Sequence, residues 1–168
     1  MPDSAEVERT EDGRHVVVDG RRWRASDPAI PEALRQELVD ELMSARRAVR
    51  TTDEQAKVAA RGRVQDAKVA LGERGHPWWE APTDEARTVR ITATIRALLR
   101  KRDGKSICPS DVARVVGGEA WREEMPRVRA VAGDLAARGE LTVTQKGHTV
   151  TVDAGGPIRL ARGPGFDA

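Results

Sequence analysis

The sequence has very few of the residues that form cross-links and metal sites. Its 168 residues include one cysteine and three histidines. An internal disulfide is therefore excluded, and His15, His76 and His148 lack the spacing of zinc ligands. No glycine-rich phosphate loop, nucleophile elbow or HExxH pattern occurs. We therefore expect no enzymatic activity, no catalytic residue, no metal or other cofactor, and we infer no small-molecule substrate.

Aromatic residues and long apolar runs are also scarce. Four Trp, one Phe and no Tyr leave a core of Val, Leu, Ile and Ala. No apolar run approaches the ~20 residues of a membrane-spanning helix, and the acidic N-terminal segment does not resemble a signal peptide. These features predict a cytoplasmic protein without a membrane partner, made of one moderate domain or two small ones.

Neither sign of charge is in large excess, but the two signs are unevenly distributed. The whole chain carries a formal net charge of +2. Residues 1–85 hold 14 basic and 18 acidic side chains, a net charge of −4, whereas residues 86–168 hold 15 and 9, a net charge of +6. This asymmetry indicates two modules, of which the second is the better candidate to bind a polyanion.

The N-terminal segment predicts a leader followed by a β-hairpin. Residues 1–14 are polar and without periodicity, as in a disordered leader. In the segment 15–24, Asp19-Gly20 suits a two-residue type I′ turn, which places Val16 opposite Trp23 and Val18 opposite Arg21. We expect Val16 and Trp23 to pack inward.

Apolar residues at helical spacing predict two helices that fold into an antiparallel hairpin, completing a first module over residues 15–80. The first runs from about Glu32 to Arg50, and the second from an Asp53 cap to about Leu71, with Gly72 or Gly75 ending it. This hairpin serves as a scaffold or, alternatively, as a dimer or partner interface.

A linker with two adjacent tryptophans, Trp78 and Trp79, follows over residues 76–82. Large aromatic side chains at such a junction favour a clamp between two modules. Stacking of the indoles on a base or a ligand is the alternative interpretation.

Three helices are predicted after the linker. Thr83 is a suitable N-cap for the first, which ends near Arg102. After a short strand at residues 106–107, Pro109 opens a short second helix that ends at glycines 117 and 118. The third has a preliminary turn over residues 121–125 and a main segment that starts at Pro126.

The chain then predicts a second hairpin and an extended tail. A turn at Lys146-Gly147 pairs Leu141 with Val152 and Val143 with Val150 on one face, while threonines 142 and 144 lie opposite threonines 151 and 149. Residues 156–163 should form an extended strap. Three helices followed by a hairpin are the element order of a winged helix-turn-helix. The predicted fold class is therefore α+β: an N-terminal β-hairpin and an antiparallel helical hairpin, then a winged helix-turn-helix domain over residues 83–163.

The second module also resembles a bacterial family of unknown function with a winged-helix fold. The resemblance covers about residues 91–163 and rests on an ordered set of segments: SICPSDVAR at 106–114, Trp121-Arg122, Met125, Val128-Arg129, Leu135, Gly139, TQKG at 144–147 and GPIRL at 156–160. The N-terminal part, through the segments VDGRRWRASDPAIPEALRQELVDELM at 18–43 and DAKVALGERG at 66–75, is similar to short uncharacterised proteins of high-GC bacteria. Neither resemblance implies an activity or a functional residue.

A winged helix presents its third helix to the major groove and its wing to the flanking backbone. The residues that we predict to bind nucleic acid are Arg122, Arg127, Arg129, Lys146, His148 and Arg159. The outer face of the third helix, however, shows Ala130, Gly133, Asp134 and Ala137, which are poorly suited to reading bases. We therefore expect nucleic-acid binding with weak sequence selectivity, with a regulatory role as one option. The alternative is a protein-interaction or dimerisation module, in which those small residues permit a close helix contact.

Overall fold

A computed structural model describes residues 7–167 and shows an α+β chain with two small antiparallel sheets and five α-helices between and around them. The elements in chain order are β1 (Glu8–Arg9), β2 (His15–Val18), β3 (Arg21–Arg24), α1 (Glu32–Ala48), α2 (Glu54–Leu71), α3 (Asp84–Lys101), α4 (Pro109–Gly117), a 3₁₀ turn (Gly118–Ala120), α5 (Trp121–Ala137), β4 (Leu141–Gln145), β5 (His148–Thr149) and β6 (Arg159–Arg162).

The N-terminal hairpin has the predicted register. Val16 lies opposite Trp23 and Val18 opposite Arg21, and both Asp19 and Gly20 have positive φ, as a type I′ turn requires. The prediction that Trp23 packs inward is wrong, because its side chain is 42% exposed. The ring instead lies under the Arg21 guanidinium, 4.3 Å from the ring centroid, so a cation–π contact replaces core burial.

A third strand extends this sheet at its N-terminal side. Glu8 and Arg9 pair with Val17 and Val16, and the intervening turn is closed by the Asp12 carboxylate, which accepts a hydrogen bond from the backbone of Arg14 at 3.0 Å. The prediction of a disordered leader over residues 1–14 is therefore wrong for residues 8 and 9, which form this strand. Residues 1–6 of that prediction lie outside the described residues.

The two predicted helices of the N-terminal half are present and pack side by side. The Asp53 carboxylate accepts hydrogen bonds from the backbone of residues 55 and 56, and Gly72 ends α2 with a left-handed backbone at φ 80°. Ala60 and Ala67 are buried on α2, which allows the close approach of α1. Both caps were predicted from the sequence and are confirmed.

The three later helices are also present, with one correction in α5. Thr83 caps α3 as predicted, since its hydroxyl accepts from Ala86 N. The helix that was expected to start at Pro126 starts five residues earlier, at Trp121, and includes the proline. Pro126 is exposed, and because it has no backbone N–H it removes one helical hydrogen bond.

The C-terminal sheet has the strand order β5-β4-β6. The turn is confirmed, because Lys146 and Gly147 have φ values of 51° and 81° and Thr144 lies opposite Thr149. The predicted pairing of Leu141 with Val152 is wrong: β5 ends at residue 149, and Leu141 lies opposite Arg162 of β6.

The C-terminal segment enters this sheet instead of forming a surface strap. Ile158 and Leu160 are fully buried, and Leu160 forms both hydrogen bonds of a bridge with Ile107, each 2.8 Å long. Burial of these two apolar side chains favours a strand over a strap.

One hydrophobic core runs through the described residues. It joins Leu38 and Leu71 of the helical hairpin to Ile95 of α3, and continues to Leu135 and Leu160 at the second sheet. Helix α3 is the central element, since α1, α2, α4 and α5 all contact it. The division into modules at residues 76–82 stays a prediction, and the core is continuous across that boundary.

Candidate nucleic-acid interface

The predicted binding residues lie on helix α5, on the segment between β4 and β6, and on β6 itself. Val128, Val131, Ala132 and Leu135 of α5 are buried against the core. The loop after β5 runs along the flank of the helix: a Cβ at Gly133 would lie 3.0 Å from Val152 Cγ2. Gly133 is therefore half-buried beneath this loop, and the outer face is less open at this position than the sequence predicts.

Arg129 holds this loop in place. Its guanidinium donates hydrogen bonds to the carbonyl oxygens of Val152, Ala154 and Gly156, at distances of 2.8 to 3.1 Å. These three backbone acceptors engage most of the N–H donors of the guanidinium. The side chain therefore positions the loop, and little of it is left for a phosphate.

Arg127 and Arg159 are also engaged within the protein. Arg127 forms an ion pair with Asp84 at 2.9 Å. Arg159 donates to Ser106 Oγ and Ser106 O, both at 2.9 Å, and to Cys108 Sγ at 2.6 Å. It thereby ties β6 to the start of α4, although its side chain remains on the surface.

The other three predicted residues are exposed and free of carboxylate partners in the described part of the chain. Lys146 lies in the turn at the tip of the β4–β5 hairpin, and His148 is the first residue of β5. Arg122 lies near the start of α5 with its guanidinium 4.4 Å from the Trp121 ring centroid, and Arg114 of α4 lies over the same ring at 4.8 Å. These side chains are available to an anionic partner.

The outer face of α5 is small and slightly acidic, as the sequence predicts. Glu123, Pro126, Ala130, Asp134 and Ala137 are all exposed there. Reading of base edges depends on long polar side chains such as Arg, Lys, Asn and Gln. This face offers none of them.

Sequence reasoning missed three further exposed cations in the second half. Lys105, Arg114 and Arg138 lie on the surface, and no carboxylate of residues 7–167 pairs with any of them. Arg114 of α4 and Arg138, the C-cap of α5, lie outside the buried apolar faces of these helices. The helical periodicity of the sequence could therefore have predicted that both are exposed.

The opposite charges of the two halves also pair with each other inside the molecule. Four cations of α3 and its C-cap form ion pairs with carboxylates of the N-terminal half: Arg90 with Asp27, Arg100 with Asp66, Lys101 with Asp40, and Arg102 with Glu37. Part of the net +6 is therefore neutralised inside the molecule and does not face a partner.

Arg90 is, with Arg100, one of the two most enclosed of these cations. Burial lowers the pKa of its guanidinium, and the neighbouring Asp27 carboxylate opposes that effect. Arg102 is more open, and its hydrogen bond to Glu37 raises the pKa of its guanidinium. Arginine stays charged in either case, so both pairs act as ionic links between the halves.

Within residues 7–167 no three His, Cys, Asp or Glu side chains come together in a way that could hold a metal ion. None of the helices described there is long and apolar enough to cross a membrane.

Residues 88–163 match the sequence family described as "Protein of unknown function (DUF3253)". The match begins inside α3, ends just after β6, and covers somewhat less than half of the chain. It agrees with the resemblance to an uncharacterised family that the sequence motifs indicate. No curated protein matches the chain.

Proposed function

We propose that residues 83–163 form a winged helix-turn-helix that binds nucleic acid weakly, with little sequence preference, through phosphate contacts. The observation that carries the proposal is the exposed tip of the β4–β5 hairpin, with Lys146 in its turn and His148 at the start of β5. Strand β4 contacts α5, on which Arg122 is also exposed. A basic hairpin tip beside α5 has the position of a wing that contacts the DNA backbone.

The topology supports the winged-helix part of the proposal. Helices α3, α4 and α5 precede strands β4 and β6, and Ile107 between α3 and α4 bridges β6. A winged helix has this arrangement of three helices, an early strand and a later antiparallel pair. The segment from residue 146 to 158 then corresponds to the wing.

The side chains of α5 favour phosphate contacts over base recognition. Arg127 is paired with Asp84, and Arg129 holds the loop carbonyls. The remaining outer face carries alanines and carboxylates. Contacts from Arg122 at the start of the helix and from Lys146 at the wing tip bind a backbone without reading its sequence.

Fluorescence anisotropy with two unrelated DNA duplexes and one RNA duplex tests the proposal. We expect similar affinities for both DNA sequences and a steep loss of binding with added salt, because binding releases counterions. The double variant Lys146→Ala, Arg122→Ala should bind less tightly and show a salt slope smaller by up to about one unit for each phosphate that it no longer binds.

A second double variant, Arg50→Ala with Arg61→Ala, is the matched control, since it removes two exposed arginines from the N-terminal half. It should bind like the unaltered chain. Absence of a complex at low salt, or equal losses in both double variants, would overturn the proposal.

A protein partner or a second copy of the chain is the alternative function. The exposed alanines 130 and 137 on α5 favour it, because small side chains permit close helix contact. If no variant binds nucleic acid and Ala130→Glu converts an oligomer into a monomer in light scattering, this alternative replaces the proposal.

A further inference from the structure

A cavity of about 610 Å³ lies where the linker meets the helices. Trp78 and Trp79 form one wall, the first turns of α3 form another, and Val116 and Gly117 at the end of α4 close it. Binding sites for small molecules have volumes of roughly 300–1,000 Å³ and mostly apolar walls. The size and the lining of this cavity fit that class.

The tryptophan wall is held in position by contacts outside the cavity. Trp78 Nε1 donates to the carbonyl of Ala25 at 3.0 Å, and the two indoles meet edge to face with centroids 5.2 Å apart. Trp79 in turn contacts the His15 ring at 5.6 Å. The indoles are therefore fixed before any ligand arrives, which lowers the entropy lost on binding.

Two nitrogen-bearing side chains in the wall lack hydrogen-bond partners in the described structure. The Arg87 Nε and His76 Nε2 atoms are buried and have no partner among residues 7–167, although both side chains are only half-buried. The Arg87 guanidinium has only a 3.9 Å ion contact with Glu124. Buried polar atoms are nearly always hydrogen-bonded in proteins. The Arg87 Nε–H is a donor, so it points to an acceptor in the cavity, whereas His76 Nε2 can donate or accept according to its tautomer.

The charges of the wall limit the ligand further. Four carboxylates and three arginines line the cavity, and Arg90 among the arginines is already bound to Asp27 and to two backbone carbonyls. Glu80, Glu85 and Glu124 would repel an anion. An uncharged acceptor suits this wall better than a carboxylate or phosphate does.

We propose that this cavity binds a small, uncharged, planar heteroaromatic molecule, whose ring packs against the Trp78–Trp79 wall and whose acceptor atom accepts a hydrogen bond from Arg87. The proposal does not depend on nucleic-acid binding, because it rests on a different part of the molecule. Val116 and Glu124 belong to α4 and α5, so an occupant contacts both helices of the proposed helix-turn-helix.

Quinoline and naphthalene are matched probes, because they share a shape and only quinoline carries an acceptor. Indole Nε1–H signals in NMR titrations of the full chain report their binding at the tryptophans. We expect saturable shifts with quinoline and about fivefold weaker binding of naphthalene, the effect of one hydrogen bond worth about 1 kcal/mol. The anionic quinoline-4-carboxylate should also bind more weakly than quinoline.

Three variants test the site. Ala86→Leu places a larger side chain in the cavity wall and should weaken quinoline binding at least tenfold. Thr88→Leu adds similar bulk at an exposed position on the same helix, outside the lining, and should leave binding unchanged. Arg87→Met should remove the preference for quinoline over naphthalene.

Circular dichroism first establishes that each variant is folded. If Ala86→Leu is not, Val89→Phe replaces it, because Val89 lines the cavity and is 52% exposed. Linear shifts without saturation, equal binding of both probes, or undiminished binding in a folded cavity-filling variant would overturn the proposal and leave solvent as the occupant.

Discussion

At the scale of single residues, Arg90 links three separate parts of the chain. Its guanidinium donates to Asp27 Oδ2 at 3.0 Å, to Ala70 O at 3.2 Å and to Val115 O at 3.4 Å. Asp27 is itself fixed, since its backbone N–H donates to Leu71 O at 2.8 Å. The loop before α1 and the ends of α2 and α4 therefore meet at one arginine.

Replacement of Arg90 by Met should lower the free energy of unfolding by about 3 kcal/mol, because it leaves a nearly buried carboxylate at Asp27 without its counter-ion. Urea denaturation followed by circular dichroism measures the loss. Arg35→Met is the control, since Arg35 pairs with the exposed Glu32 on the same face of α1, and exposed pairs contribute little. Equal losses in the two variants would show that Arg90 is not a structural link.

The partners of Arg90 could not be predicted from the sequence. Asp27 lies 63 positions away along the chain, and nothing local distinguishes Arg90 from the other arginines of α3. The caps at Asp53 and Thr83 were predictable, because a cap depends on two or three adjacent residues. Likewise, exposure of Lys146 follows from its turn, whereas the carbonyl contacts of Arg129 depend on a loop more than twenty residues away.

At the scale of elements, the segment after β6 packs against the turn between α5 and β4 through a tight backbone contact. Gly163 N donates to Glu140 O at 2.7 Å, and Gly165 N donates to Gly139 O at 2.8 Å. A Cβ at Gly163 would overlap with the carbonyl oxygen of Gly139 and lie 2.9 Å from Leu141 N. Only glycine fits between these backbone atoms.

Gly163→Ala should lower the free energy of unfolding by about 2 kcal/mol, since neither of the two backbones can move without breaking hydrogen bonds. Thermal denaturation measures the effect. Gly155→Ala is the matched control, because no atom lies within 4 Å of its added Cβ and its φ is not positive; it should keep or slightly raise the stability. A Gly163→Ala variant as stable as Gly155→Ala would contradict the tight contact.

Turns were easier to predict than strand partners. Asp19-Gly20 and Lys146-Gly147 show the positive φ values that their sequences indicate. The alternation of Ile158 and Leu160 correctly indicates an extended segment, but it does not say which strand the segment joins. That choice depends on the early end of β5 and on Ile107, over 50 residues away.

At the scale of the whole molecule, the acidic and basic halves complement each other in charge and share one core. Arg100 pairs with Asp66 at 2.6 Å and Arg102 with Glu37 at 3.0 Å, while Leu71 and Ile95 belong to the same apolar cluster. Composition predicts the asymmetry of charge, but it cannot tell an internal partner from an external one. Only the structure, in which α1 and α2 pack against α3, distinguishes an internal charge partner from an external one.

This shared core predicts that the full chain unfolds in one cooperative transition. Separation of residues 15–80 from 83–163 would uncover α3 on the side where α1 and α2 contact it, and exposure of that apolar surface to water would destabilise both parts. Two modules that fold independently would instead unfold in two steps, and a protease that cuts within residues 76–82 would release two folded pieces.

The variant Trp121→Phe allows the two cases to be distinguished. Its three remaining tryptophans, at positions 23, 78 and 79, all lie before α3, so fluorescence reports the N-terminal half, the linker and the packing of the linker against α3. Circular dichroism reports all five helices, most of whose residues lie in α3, α4 and α5. In a urea titration the two signals should change at the same midpoint. A lower midpoint by fluorescence, with a second step by circular dichroism, would show that the halves are separate folding units despite their common core.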